Sequence, residues 1–260
     1  MPTEKDIILD LKTAKDIAEI HFGNVKSGTV LKNIPKRQVS RVGHENASFI
    51  VKSYHLNLFR RIFHCFPFST DYATLLDGLT PPLRANFAYA FSCQVTITDD
   101  AGHMDMFSLF GKAPLPSDFR KAYSDSGTLL AKIHARQIFH ADTKPPNFVL
   151  NINLPSLPPV LIIDCDKVKK YNELPQDKKV FNIAQFLSCN SMKCEANLPL
   201  YQAAMRAFLD AYAQESHITH DEMRHIATLA VECALGNHKI ELRISPELLK
   251  STVKKDNDLK

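Results

Sequence analysis

The stretch IFHADTKPPNFVL, residues 138–150, decides the fold of this 260-residue chain. It places His140, Asp142, Lys144 and Asn147 in one short span with apolar residues on each side. Upstream, Phe119, Tyr123, Leu129, Leu130 and Ile133 predict a long helix, capped by Ser117 and running to about Gln137. Downstream, NFVLNI and PVLIIDCD predict two short buried strands joined by a proline-rich loop. The second strand ends at Asp164, within LIIDCDKV. Asp142 and Asp164 are thus expected from adjacent loops at one end of a hairpin, with Asn147 at the entry to the first strand.

Two carboxylates and an amide oxygen converging on one point suit a hard cation. Magnesium takes few protein oxygens and completes its shell with water and phosphate. Asn147 and Asp164 match that habit. Asp142 is then free to orient a hydroxyl and accept its proton. Lys144 can approach a transferring phosphate, where positive charge stabilises the transition state.

The spacing His140-x-Asp142-x-Lys144-x-x-Asn147 resembles the protein-kinase catalytic loop, and Ile163-Asp164-Cys165-Asp166 falls where the metal-binding Asp-Phe-Gly motif belongs. The closer resemblance is to the lipopolysaccharide core kinases, which phosphorylate Kdo or heptose. Their metal motif tends to read Ile-Asp-Phe-Asp, and the opening GTVLKNI…QVSRV…SFIVKSY is similar to the first strands of the heptose-kinase members. The likeness is specific over residues 129–187, thinner over 28–110, and absent for the first helix and the tail. It implies ATP and Mg2+ as cofactors and a sugar or glycolipid acceptor. It also implies that Asp142 is the base, that Asn147 and Asp164 are metal ligands, and that Lys144 assists at the γ-phosphate. Lys52, ending the run SFIVK, would hold the α/β-phosphates, and His140 would be a scaffold residue. Asp166 reads either as a second metal contact or as a cap.

The pattern departs from that of protein kinases in several places. LKNIPKRQ stands where a glycine-rich phosphate loop belongs, leaving a glycine-poor turn or Lys32, Lys36 or Arg37 to meet phosphates. No glutamate follows Lys52 in the next helix; Asp71 and Asp77 are shorter substitutes, of which Asp71 is preferred. Ala141 replaces the arginine that reads a phosphorylated activation loop. Only eighteen positions separate Asp164 from a helix expected near Asn182, with no Ala-Pro-Glu. That leaves little platform for a peptide and points to a non-protein acceptor. A serine/threonine protein kinase and a nucleotide-binding pseudokinase serving as an interaction module are the alternatives.

The remaining sequence fits an α+β, two-lobed, protein-kinase-like fold. The expected small antiparallel N-lobe covers residues 1–110 and the helical C-lobe 111–260, as one domain of 1–260 with a proline-bearing link at 111–116. An amphipathic helix is predicted over 4–21, stopped by Gly23. Short β-rich runs fill 28–54. A short helix is predicted over 69–79, capped by Ser69 or Thr70 and ending near Gly78. NFAYAFSCQVTI and HMDMFSLF suggest a hairpin around the turn at 99–102. Helices are predicted at FNIAQFLS, LYQAAMRAFLDAYAQ and HDEMRHIATLAVECAL, before a polar tail.

A formal net charge of +4 is too small to argue for nucleic acid. Basic residues nevertheless gather over 26–61, against the single acid Glu45. The stretch LFRRIFHCFPF (58–68) reads either as a lobe helix or as an interfacial patch meeting anionic lipid. The six cysteines show no zinc-site spacing and suit a reducing compartment. The N-terminus lacks a signal-peptide core, and no run reaches the roughly 20 apolar residues of a membrane span. A cytoplasmic protein, with peripheral contact to the inner membrane, is the expectation.

Overall fold

The computed structural model describes residues 9–23, 28–35, 37–55, 71–90, 93–109, 116–190 and 197–253. The patch at 58–68, Cys65, Cys194 and all but the last residue of the expected link at 111–116 lie outside these. The chain divides into two compact units, Met1–Ala101 and Gly102–Lys260. Among the described residues, no helix is long and apolar enough to cross a membrane.

The first unit opens with helix α1 (Leu11–His21). Asp10 caps it, accepting the backbone N–H groups of Lys12 and Thr13 at 2.9 and 3.0 Å. Gly23, with φ of 83°, turns the chain out, a conformation open to glycine at little cost. Strands β1 (Gly28–Ile34), β2 (Arg37–His44) and β3 (Ala47–His55) follow as antiparallel neighbours. After the short helix α2 (Asp71–Leu75) come β4 (Leu83–Ala90) and β5 (Cys93–Asp99). The five strands form one sheet in the order β1-β2-β3-β5-β4.

The two sheet faces differ. Phe49, Val51, Val95 and Ile97 point to one side and bury Ala14, Ile17 and Ala18 of α1 against them. Removal of this apolar surface from water stabilises the unit. His21 adds a polar tie from α1, with Nε2 2.7 Å from Ser53 Oγ. Lys52 pairs across the ladder with Val39 and Thr96 and belongs to the opposite face.

The hairpin expected around residues 99–102 is corrected. NFAYAFSCQVTI folds back on itself, and its two halves supply parts of β4 and β5. Met106–Leu109 is a helical turn, α3, because Asp105 accepts the Ser108 backbone N–H at 2.7 Å and its hydroxyl at 3.1 Å. Asp99 and Asp100 are spent on the sheet. Arg84 Nη2 meets Asp99 at 2.6 Å, and Arg41 Nε meets Asp100 at 2.6 Å, with Ser48 also donating to Asp100.

The second unit is mostly helical. Its long helix α4 (Pro116–Ala135) begins on a proline, so Ser117 lies in the first turn rather than at the cap. Helix α4 packs along α6 (Leu198–Ser216), with direct backbone approach at Gly127. A Cβ there would stand 2.1 Å from the Phe208 carbonyl oxygen. Phe208 in turn stacks on Phe186 of α5 (Gln176–Ser188), with centroids 4.0 Å apart. Helix α5 starts six residues before the expected Asn182, so only eleven positions follow Asp164 before it. Helices α7 (His220–Gly236) and α8 (Pro246–Ser251) complete the unit. Cys93, Cys165 and Cys189 are buried free thiols, and Cys233 is half-buried and free.

Candidate active site

Helix α4 ends at Ala135, and Gln137, two residues on, adopts a left-handed φ of 61°. The chain then runs through β6 (Ile138–His140), the loop at 141–144, a 3-10 turn at Pro145–Asn147 and strand β7 (Phe148–Leu150). Strand β7 pairs with β8 (Val160–Ile162), and the Ile163 N–H donates to the Asn147 carbonyl at 2.9 Å. Asn147 and Asp164 therefore leave the same end of one hairpin.

The loop is fastened by its own side chains. Asp142 donates its backbone N–H to His140 Nδ1 at 3.1 Å. Asn147 Nδ2 donates to the Asp142 carbonyl at 2.7 Å. This bond fixes the Asn147 amide and leaves Oδ1 as its acceptor atom. Lys144 Nζ lies 2.9 Å from Asp142 Oδ2, with about a third of each side chain exposed. Asp164 has φ and ψ of 61° and 44°. Few non-glycine residues adopt that left-handed region, aspartate among the more tolerant. It turns the chain from β8 into a 3-10 turn at Cys165–Lys167 that holds Asp166.

Helix α5 holds the loop from below. Asn182 is fully buried; its Nδ2 donates to the His140 carbonyl at 2.6 Å. Gln185 Nε2 donates to the Ala141 carbonyl at 3.2 Å, and its Oε1 accepts the Thr143 N–H at 3.0 Å. Thr143 also donates its hydroxyl to the Asn182 carbonyl at 2.8 Å. With Nδ2 committed, Asn182 Oδ1 must accept from His134 Nε2, 3.1 Å away. His134 Nδ1 then accepts the Tyr212 hydroxyl at 2.8 Å. Burial lowers the His134 pKa to about 4 and raises that of Tyr212 to about 12, so both are neutral near pH 7.

The segment after Asp164 is stapled to the start of the loop. Strand β9 (Val168–Lys170) pairs with β6. Tyr171 N–H donates to the Gln137 carbonyl at 2.9 Å, and Leu174 N–H to Gln137 Oε1 at 2.6 Å. Lys170 Nζ bonds the Arg136 carbonyl.

Asp142, Lys144, Asn147 and Asp164 are thus joined by one short loop and one hairpin end. Lys52 and Asp71 belong to the first unit. Lys52 is half-buried on β3, and Asp71 is the exposed first residue of α2. Ile34 pairs directly with Arg37, so β1 and β2 are linked by a turn of two residues beginning at Pro35, which has no N–H to offer a phosphate.

Asn182, Gln185, Thr143, His134 and Gln137 were not anticipated as supports of the site. The signal was present in FNIAQFLS, where Asn182 and Gln185 interrupt an apolar helix one turn apart.

No protein-family model matches the chain, and no curated protein matches it. Among solved structures, it is similar to WaaP in complex with acyl carrier protein, at 14% identity and a TM-score of 0.53. That match covers 80% of this chain and 88% of the other. It is also similar to the autoinhibited serine kinase domain of the giant muscle protein titin, at 12% identity and a TM-score of 0.46. There the coverage is 90% of this chain and 82% of the other. The fold is kinase-like, with a small antiparallel sheet unit and a helical unit.

Proposed function

We propose that this chain is a phosphotransferase of the lipopolysaccharide core type, moving the γ-phosphoryl of ATP to a hydroxyl of Kdo or heptose. The observation that carries the reading is the fastened loop. Asp142, Lys144 and Asn147 are held together there, beside the hairpin end that delivers Asp164.

Asp142 would accept the proton of the acceptor hydroxyl. Lys144, paired with Asp142 at 2.9 Å, would turn to the transferring phosphoryl. Asn147 and Asp164 would hold magnesium. The donor set fits: Oδ1 of a fixed amide and one carboxylate leave room for phosphate oxygens and water. Among the described residues, no group of three His, Cys, Asp or Glu could hold a metal. When bound, the cation would screen the phosphates and align them for in-line attack. Lys52 would meet the α/β-phosphates, with Asp71 as its acidic partner.

The stapled segment after Asp164 favours a sugar over a peptide. Its eleven positions include β9 and the residues bonded to Gln137, which leaves little chain to form a peptide platform. A second reading, a nucleotide-binding pseudokinase, draws support from the two-residue β1–β2 turn, which lacks a glycine-rich loop. Association with acyl carrier protein, as in the WaaP complex, and peripheral contact with the inner membrane from the cytoplasmic side belong to the first reading.

Thermal melting with and without Mg-ATP, followed by phosphate transfer to purified core oligosaccharide and to casein, tests these readings. A magnesium-dependent rise in melting temperature with transfer to oligosaccharide is expected. Transfer to casein alone would make the chain a protein kinase. A nucleotide shift without any transfer would make it a pseudokinase.

A further inference from the structure

After α7, the chain returns to the candidate site. Ile240 and Ile244 are buried, while Glu241, Leu242 and Arg243 stand outside. The backbone fixes this segment to the end of α5: Arg243 N–H donates to the Ser188 carbonyl at 3.1 Å, and Ser188 Oγ to the Glu241 carbonyl at 3.3 Å. The segment is therefore anchored without the Glu241 and Arg243 side chains, which are committed to one another. Arg243 Nε donates to Glu241 Oε1 at 2.7 Å. The Cys189 thiol approaches Glu241 Oε2 at 3.7 Å. The guanidinium lies over the Phe107 ring, 5.1 Å from its centroid. Phe107 is on α3, which packs against the Pro145–Asn147 turn.

Lys144, on the loop beside that turn, is close enough for its charge to act on Glu241. The Arg243 hydrogen bond, and more weakly the Arg243 and Lys144 charges, hold the Glu241 carboxyl below its usual range. Two ion pairs, Lys144–Asp142 at 2.9 Å and Arg243–Glu241 at 2.7 Å, thus stand on the two segments that flank α3 and the end of α5. The Arg243 guanidinium is oriented by a ring and a carboxylate, with more than a third of its side chain exposed. Nε is used, so the Nη edge is available to a second planar or tetrahedral anion, the geometry in which arginine binds bidentately.

We propose that Arg243 is an acceptor-specificity residue, binding an anionic substituent, carboxylate or phosphate, on the sugar whose hydroxyl meets Asp142. Glu241 positions the guanidinium and competes with weak anions for it. This rests on the phosphotransferase reading above, but its test does not require turnover.

Calorimetry of the full chain compares two ligands: native core oligosaccharide, and the same oligosaccharide with phosphates removed and carboxyl groups reduced. Wild type should prefer the anionic form. Arg243→Ala should weaken binding of the anionic form about tenfold, near 1.4 kcal/mol, and abolish the preference. Arg243→Lys keeps the charge but not the fork and should restore the preference only partly; it also guards against a folding defect in the alanine variant. Glu241→Gln should strengthen the anionic preference. A preference unchanged in Arg243→Ala, an equal loss for both ligands, or no binding of either by wild type would overturn the proposal. An Arg243-dependent preference without Mg-ATP turnover would sustain the anion site and refute the phosphotransferase reading instead.

Discussion

The loop at 138–147 and strand β3 carry the two halves of the proposed chemistry, and they are built in opposite ways. In the loop, the carbonyls of His140, Ala141 and Asp142 all accept side-chain amide donors. The donors are Asn182, Gln185 and Asn147; the Asn182 bond is buried and the other two are partly buried. Lys52 is placed by strand register, opposite Val39 and Thr96. Its face carries a lighter polar network, in which Gln94 Nε2 and Thr96 Oγ1 share Asn86 Oδ1 at 2.8 and 3.2 Å. The difference teaches where geometry is enforced. A buried network allows one arrangement, because any other strands a polar group. A half-buried sheet position is fixed by the backbone ladder rather than by amide bonds from another element.

The largest expected effect tests the loop's chemistry directly. Asp142→Asn or Asp164→Ala should reduce phosphate transfer by about 10³-fold or more, while the cooperative melting transition persists. Radiolabel transfer with melting curves checks this, and near-normal turnover in either variant refutes the assignment. Next comes the support. Asn182→Ala removes the amide that serves the His140 carbonyl and His134 Nε2, both buried, at a cost of about 2–4 kcal/mol. Denaturant unfolding measures it, and Lys52→Ala should change the same quantity by less than about 1 kcal/mol. Equal destabilisation by the two would erase the contrast between the regions.

Ligand affinity reverses that order. Lys52→Ala should weaken Mg-ATP binding about tenfold, roughly 1.4 kcal/mol, and Asp71→Asn less. Titration calorimetry showing no change for Lys52→Ala would remove Lys52 from the phosphate site.

The smallest effect is set by acid and touches both units. Burial lowers the pKa values of His21 and His134 to about 4, from an ordinary 6.5. Between those values the unfolded chain binds more protons than the folded one. Stability is therefore full above pH 6.5 and falls as pH drops toward 4. Each histidine should contribute a loss of about 1 kcal/mol by pH 5.5. His134→Gln should flatten that part of the profile, as unfolding at stepped pH would reveal. A slope unaltered by the substitution would assign it to other groups.

Much of the site was legible because its residues are close in sequence. The spacing from His140 to Asn147, and the apolar run before Asp164, need only local geometry to be read. The β4–β5 hairpin was misplaced because two polar aspartates and a glycine look like a turn. Their carboxylates are instead bound to Arg84 and Arg41, partners invisible without the sheet. The helix starting at Gln176 was placed late, since its first turn, QDKK, is polar and lacks the apolar periodicity that marks the rest. The Asn182–Gln185 clamp sits in a stretch recognised as helix, but a buried amide declares its role only through what it bonds.

The sequence by itself determined the early strands, the long helix before the loop, the two short strands after it, the three later helices at FNIAQFLS, LYQAAMRAFLDAYAQ and HDEMRHIATLAVECAL, and the set of polar residues in the loop at 138–147. These follow from periodicity, turn residues and spacing over short distances. Only the tertiary structure decided which carbonyls of that loop are held and which sheet face α1 covers. It also brought Glu241 and Arg243 onto the end of α5 and the Phe107 ring, from more than fifty residues downstream of one and more than a hundred of the other. The physical reason is that a buried hydrogen bond pairs groups by position in space, and chain separation leaves no trace of it in composition or period.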